Sequence, residues 1–421
     1  MAHILVLAYV ALVYIRPHDY LLALKDQPIL PILLIASFAA WLGLPNKSFE
    51  APQHKLLPLL LLVMSASVAI SGWVGGALIT FSEYGPSVIL FFFLSTCLDS
   101  VDQHSRAIRT IAVATIVLAI HGIDQFWTGI GWTGAMLSQE TRITYVGIFS
   151  DPNDLALAFV VALPLIVYLL TEAKSFFTKT LWRASIVTVA YAIFLTNSRG
   201  GMLGAIAVFL IYLRGRFGIL KTSLAASVGL LGIAMLPTRL NELDAKEESA
   251  AERLESWFQG IQMLKQHPIF GVGKGNYTDH HYLTAHNSFV LVFAELGLVG
   301  YFLWLSFVGI SVFMVYRVAN ASSQPNQITT EDQSQNWARY QKLSKTYLNA
   351  MVGFLVCAFF LSRSYVILLP ILCALCVALY QSVRRRWPAF APITLASTLW
   401  AMVALQCGSI IFIYAMVRFF M

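Results

Sequence analysis

Apolar runs near or above the roughly 18 residues that a helix needs to cross a bilayer recur from one end of this chain to the other, and they limit its fold more than any other feature. Hydrophobic segments fall at 2–15, 29–44, 56–79, 85–98, 107–128, 153–171, 184–197, 201–213, 219–236, 287–316, 347–361, 365–381 and 392–416. A few, such as Ile186–Leu195 and Leu203–Leu213, are short and need flanking residues to span. Residues 2–44 read either as two spans or as one span with a partly inserted hairpin. The strand-period alternation of an outer-membrane barrel is absent. Charged residues make up only 12% of the chain, about half the share usual in soluble domains. The expected fold is therefore an all-α polytopic membrane protein of about 12 transmembrane helices (12–13) with a large helical loop on the outer side. Residues 1–236 and 286–421 carry the spans, 237–285 form the outer loop, and 317–346 read as a polar, Ser/Gln/Asn-rich cytoplasmic loop.

Charge sets the orientation. With 237–285 outside, the inner loops hold Lys47, Lys55, Arg106, Arg109, Lys174, Lys179, Arg183, Arg214, Arg216, Lys221, Arg317, Arg339, Lys342, Lys345 and Arg384–Arg386, which is 17 of the 28 basic residues. The short outer segments and the C-terminal tail keep Arg16, Lys25, Arg142, Arg199, Arg363 and Arg418. That asymmetry follows the positive-inside rule. It also accounts for the net charge of +7 without nucleic acid as a partner. The first apolar run, Ile4–Ile15, leads into Arg16-Pro17-His18-Asp19 rather than a small-residue cleavage site, so no cleavable signal peptide is expected. The five cysteines all lie in apolar segments, and Cys373 and Cys376 read as packing residues.

The chemistry should sit with polar residues placed where polarity is costly. Arg199 lies in Thr196-Asn197-Ser198-Arg199-Gly200-Gly201, too short a link between two apolar helices to be an ordinary solvated loop. A guanidinium is a planar fork of donors suited to phosphate oxygens. Its bland role would be a helix-end Arg reaching to lipid headgroups. Arg142, in the outer loop ahead of Asp151-Pro152-Asn153, is a second candidate phosphate ligand. Asp151 or Asn153 can cap the following helix. Within the outer loop, Leu254, Trp257, Phe258, Ile261 and Leu264 recur at helical spacing, which predicts an amphipathic helix lying on the bilayer or capping the bundle. Arg253 on that helix either turns inward or pairs with Glu252 or Glu255, and Lys274 and Tyr277 lie by the Gly-rich turn at 271–275. His286 can take a proton from a hydroxyl, with Asn287 a cap or a substrate contact. His280 and His281 lack ligands at metal spacing beside them, so neither a metal nor a cofactor is expected.

Taken together, Gly147-Ile148-Phe149-Ser150-Asp151-Pro152-Asn153, Asn197-Ser198-Arg199-Gly200-Gly201, the run from His267 to Asn276, His286-Asn287-Ser288-Phe289 and Glu295-Leu296-Gly297 resemble the O-antigen ligase and O-antigen polymerase superfamily, most nearly an O-antigen ligase. The resemblance spans roughly residues 140–310. It implies a glycosyltransferase in the bacterial inner membrane whose site faces the periplasm. The donor would be a glycan on undecaprenyl pyrophosphate and the acceptor lipid A–core, with membrane lipids around it. The family's span-end arginine, loop arginine and loop-end histidine map onto Arg199, Arg253 and His286. The implied mechanism has Arg142, Arg199 and Arg253 hold the pyrophosphate and His286 activate the acceptor hydroxyl, with inversion and without a metal. It requires Arg199 and His286 to share one chamber. Polymerases and protein O-oligosaccharyltransferases share that donor chemistry. A lipid-linked glycan transporter would instead need charged sites near the midplane, whereas these residues cluster at one face.

Overall fold

Among the described residues the apolar runs form fourteen α-helices: α1 Ala2–Ile15, α2 Ile29–Leu42, α3 Gln53–Ile70, α4 Val74–Cys97, α5 Val101–Thr128, α6 Pro152–Glu172, α7 Phe176–Leu195, α8 Arg199–Met235, α9 Leu243–Gln266, the short α10 Tyr277–His280, α11 Ser288–Ala319, α12 Glu331–Phe360, α13 Leu368–Arg386 and α14 Leu395–Phe420. The structure is a computed structural model. It describes residues 2–25, 27–235, 243–321, 331–388 and 390–421, with the backbone alone at 216, 219–221, 223–235, 243–250 and 331–332. Eight helices, α3–α6 and α11–α14, are long and apolar enough to cross a membrane, and α1 and α2 are shorter apolar helices. Large apolar side chains such as Ile35, Leu62, Leu78, Val187, Trp400 and Ile411 stand exposed on the outside of the bundle, as they do where the solvent is lipid. The chain is an all-helical polytopic membrane protein.

Helix α13 is buried on every side from Leu368 to Val383 and packs on α4, α11 and α12. Helix α6 is held among α5, α7, α8 and α12. These two helices fix the positions of the ends that matter. At one end of the bundle, basic residues meet acidic ones: Arg339 with Asp102 at 2.9 Å, Lys342 with Glu172 at 2.6 Å, Arg384 with Glu50 at 2.7 Å, and Arg385 and Arg386 with Asp99 at 3.2 Å. We call this the basic end. The starts of α6, α8 and α11 and the end of α12 lie at the other.

The structure departs from the sequence reading at several boundaries. The apolar run 56–79 is not one segment: α3 stops at Ile70 and α4 starts at Val74, because Gly72 takes φ 104° and turns the chain back. The two segments expected from residue 201 onward fall in one helix, α8, interrupted at Gly218, which is non-helical. Part of the stretch 317–346 read as a loop is helical: α11 runs to Ala319 and α12 begins at Glu331. The Ser/Gln/Asn-rich centre, 322–330, lies outside the described residues, as does 236–242 at the start of the outer loop. The amphipathic helix appears as α9. It sets Trp257, Ile261 and Leu264 inward and packs on α11 and α14.

Helix α11 is also broken, at Gly297 (φ 63°, ψ −165°). Non-helical backbone at membrane depth needs partners inside the protein. The run after α9 supplies them. Val272 and Gly273 N–H groups donate to Ala294 and Glu295 carbonyls, and Leu298 and Val299 N–H groups donate to Pro268 and Ile269 carbonyls, at 2.8–3.3 Å. Gly271 and Gly297 face this pairing so closely that a Cβ on either would strike the opposite backbone. The end of the outer loop is thus built into the wall of the bundle.

Candidate functional site

Short polar links between apolar helices position the site. Asp151 caps α6 by accepting the Asn153 N–H at 2.7 Å, with Pro152 in the first turn. Asn287 caps α11 by accepting from Phe289 and Val290 at 2.9 and 3.2 Å. Helix α8 starts in contact with α6, because Gly201 has no side chain; a Cβ there would lie 2.6 Å from that of Ala156. Ser198 donates to Asn153 Oδ1 at 2.8 Å and fastens the two helix starts together. Ser288, in the first turn of α11, donates to the Leu361 carbonyl at 2.7 Å and accepts the Arg363 N–H at 2.8 Å, which fastens α11 to the end of α12. Three helix N-termini therefore meet, and each contributes partial positive charge.

Arginines line this junction. Arg142 donates to the Thr196 carbonyl at 2.8 Å and to Asn153 Oδ1 at 3.0 Å, so it spans the gap between the starts of α6 and α8. Arg363 contacts Asp151 and Asp154, each at 2.5 Å, and ties the loop after α12 to α6. Arg253 reaches in from α9. Burial and then the neighbouring Arg199 guanidinium lower its pKa, so two like charges stand close together. His286 is next in the chain of charges. Burial, then Arg253 and Arg363, hold its pKa below the usual 6.5, against the opposite pull of Asp151. Burial pushes Asp151 up, but Arg363, the Asn153 N–H and Arg142 outweigh it and leave its pKa lowered. Arg199 and His286 are therefore joined through Arg253 in one electrostatic cluster. The backbone is strained beside both: Asn197 takes φ 49° and His286 takes φ 48°, a region costly for non-glycine residues and typical of functional positions.

Other expected site residues have different duties. Asn287 is fully buried and its oxygen is taken up as the helix cap. Tyr277 is buried, and its hydroxyl donates to the Ser256 carbonyl, so it packs α10 against α9 rather than facing an acceptor. Lys274 is tied to α3 and α4: its N–H donates to Ser67 at 3.1 Å and its ammonium lies 3.4 Å from the Glu83 carboxylate. His281 contacts the Ser256 hydroxyl at 3.2 Å. Cys373 and Cys376 are buried free thiols in the core of α13. Sequence reasoning missed Arg363 as a site residue, and with it the paired role of Asp151 and Asp154. The signal was present, since Ser362-Arg363-Ser364 is a charge in a short outer link of the same kind as the one that holds Arg199.

The fold and the site define a polytopic membrane protein with a cluster of guanidiniums, two carboxylates and one imidazole at one end of its helical bundle. Within it, residues 184–305 match the family model described as O-antigen ligase, and over that segment the chain is similar to that superfamily. The matched segment runs from α7 into α11 and contains Arg199, Arg253 and His286, while Arg142 and Arg363 lie outside it. None of the curated proteins compared with the chain matches it.

Proposed function

We propose that this protein is an inverting glycosyltransferase of the O-antigen ligase type, moving O-antigen polysaccharide from undecaprenyl pyrophosphate to lipid A–core at the periplasmic face of the inner membrane. The observation that carries the reading is that Arg199 acts electrostatically on Arg253, and Arg253 on His286, at a junction of helix N-termini. A cluster of guanidiniums at helix N-termini suits an anion with several oxygens, and a diphosphate is such an anion. Arg199, Arg253 and Arg142 bind the pyrophosphate and offset the charge that builds on it as the anomeric C–O bond breaks. His286, whose pKa is lowered by burial and then by its cationic neighbours, takes the proton of the acceptor hydroxyl as that oxygen attacks the opposite face of the anomeric carbon. The guanidiniums supply the charge that a divalent ion supplies elsewhere, so transfer proceeds in the presence of a chelator.

The test is transfer by purified protein reconstituted with a lipid-linked glycan donor and lipid A–core acceptor, read as glycolipid product. Arg199→Ala and His286→Ala should each lower the rate by about 10²-fold or more while the protein remains folded. Near-normal transfer in both variants removes these roles. Translocation of the donor without bond formation removes the enzyme reading itself.

A further inference from the structure

A groove of about 500 Å³ runs between α1 and α5, on the flank of the bundle. One wall is Ile4, Leu7, Ala8, Ala11 and Ile15 of α1, a single helical face with small alanines at its centre. The other wall is α5 from Arg106 and Arg109 to Val113 and Ala114. The groove has a direction. Its apolar walls extend about 16 Å along α1, from Ile4 to Ile15. Its cations sit only at the basic end, in the second and third turns of α5.

Arg106 and Arg109 differ from five ion-paired cations of that end. Arg339, Lys342, Arg384, Arg385 and Arg386 are all neutralised by carboxylates. Among the described residues no ion pair with a carboxylate holds Arg106 or Arg109, and Arg106 contacts only the imidazole of His3, at 3.2 Å. Arg109 also borders a second hollow with Lys174, Ser175 and Thr178, whose one acidic side chain, Glu172, is engaged by Lys342. Two unneutralised guanidiniums and a nearby ammonium thus stand at the basic end, above a channel fit for a hydrocarbon chain. Basic pockets between membrane helices at this level suit anionic lipid headgroups.

We infer that the α1–α5 groove is a binding site for an anionic phospholipid, with the headgroup phosphate on Arg106 and Arg109 and one acyl chain lying between the two helices. A neutral lipid would leave the two guanidiniums unmatched. A soluble phosphate would leave the apolar walls, open toward the surrounding lipid, without an occupant. The site lies at the opposite end of the bundle from Arg199 and His286 and is independent of the transferase reading.

The experiment is retention of lipid by the whole purified protein, measured by native mass spectrometry after exposure to phosphatidylglycerol or phosphatidylcholine in a neutral detergent. Wild type should hold phosphatidylglycerol in preference. The Arg106→Gln, Arg109→Gln double variant should lose affinity by roughly thirty-fold, about fivefold for each cation removed. Both arginines are exposed, so the variant keeps its packing. Ala8→Trp fills the groove from its exposed, lipid-facing side with both arginines intact, and should also release the lipid. Equal retention of the two lipids by wild type, or wild-type retention in either variant, overturns the proposal.

Discussion

Replacing Arg363 by Gln removes both ion pairs that join the loop after α12 to the start of α6. The Arg363 side chain is 22% exposed, against 42% for Asp151 and 15% for Asp154. The Asp151 pair, with one partner largely in solvent, contributes no more than about 1 kcal/mol. The Asp154 pair is sheltered. Taking the cation from a fully buried carboxylate costs about 3–5 kcal/mol, and the partial exposure here brings that to about 2–3 kcal/mol. The expected loss is about 2–4 kcal/mol, or roughly 30- to 1,000-fold in the equilibrium that keeps this junction closed. Thermal unfolding of the purified protein, followed by intrinsic fluorescence, should show it as a clear drop in Tm. Adding Asp154→Asn to Arg363→Gln replaces the partnerless buried acid by a neutral amide, and part of the loss should return. An Arg363→Gln protein that melts with wild type, or a second substitution that restores nothing, would refute the account of how this junction is held.

Three further outcomes follow from the same geometry. Gly297→Ala places a Cβ against the Ile269 and Phe270 backbone at a φ of 63°, and should cost about 2–5 kcal/mol, read as a fall in Tm with loss of transfer. Asn287→Ala removes the cap of α11 and should cost about 1 kcal/mol, with transfer reduced because His286 is the adjacent residue. Burial, Arg253 and Arg363 hold His286 below its ordinary 6.5, so its neutral form persists as pH falls past that value. The midpoint of the acid-side fall in transfer rate should therefore lie below pH 6.5, and Arg363→Gln should move it upward; a wild-type midpoint above 6.5 contradicts this.

Long apolar runs with clear ends were legible in the sequence. Segments 2–15, 29–44 and 153–171 coincide with α1, α2 and α6 to within two residues, because the bilayer demands length and apolarity whatever the neighbours are. The breaks were not legible. Gly72 sits inside a run that scores as continuous, and its turn shows only when the Gly-rich run after α9 is seen docked on Ser67 and Ser71. The interruption of α11 at Gly297 depends likewise on pairing with residues 268–273, a tertiary event with no local mark other than glycine. Among the site residues, Arg199, Arg142, Arg253 and His286 stood out because charge or imidazole beside apolar helices is costly. Arg363 obeys the same rule but was read only as one of the cations left outside. Tyr277 and Lys274 were drawn in by closeness in sequence to the Gly-rich turn, while their side chains serve α9 and α4.

For the lipid-linked donor proposed above, the backbone pairing of residues 268–273 with the interrupted α11 limits the route to the arginine cluster. Peeling that strand-like segment away would strand eight backbone groups in an apolar setting, at several kcal/mol for each group left unsatisfied. Thermal motion does not supply that. A substrate must therefore enter past some other flank of α9, while the segment behind it stays put as a fixed doorpost.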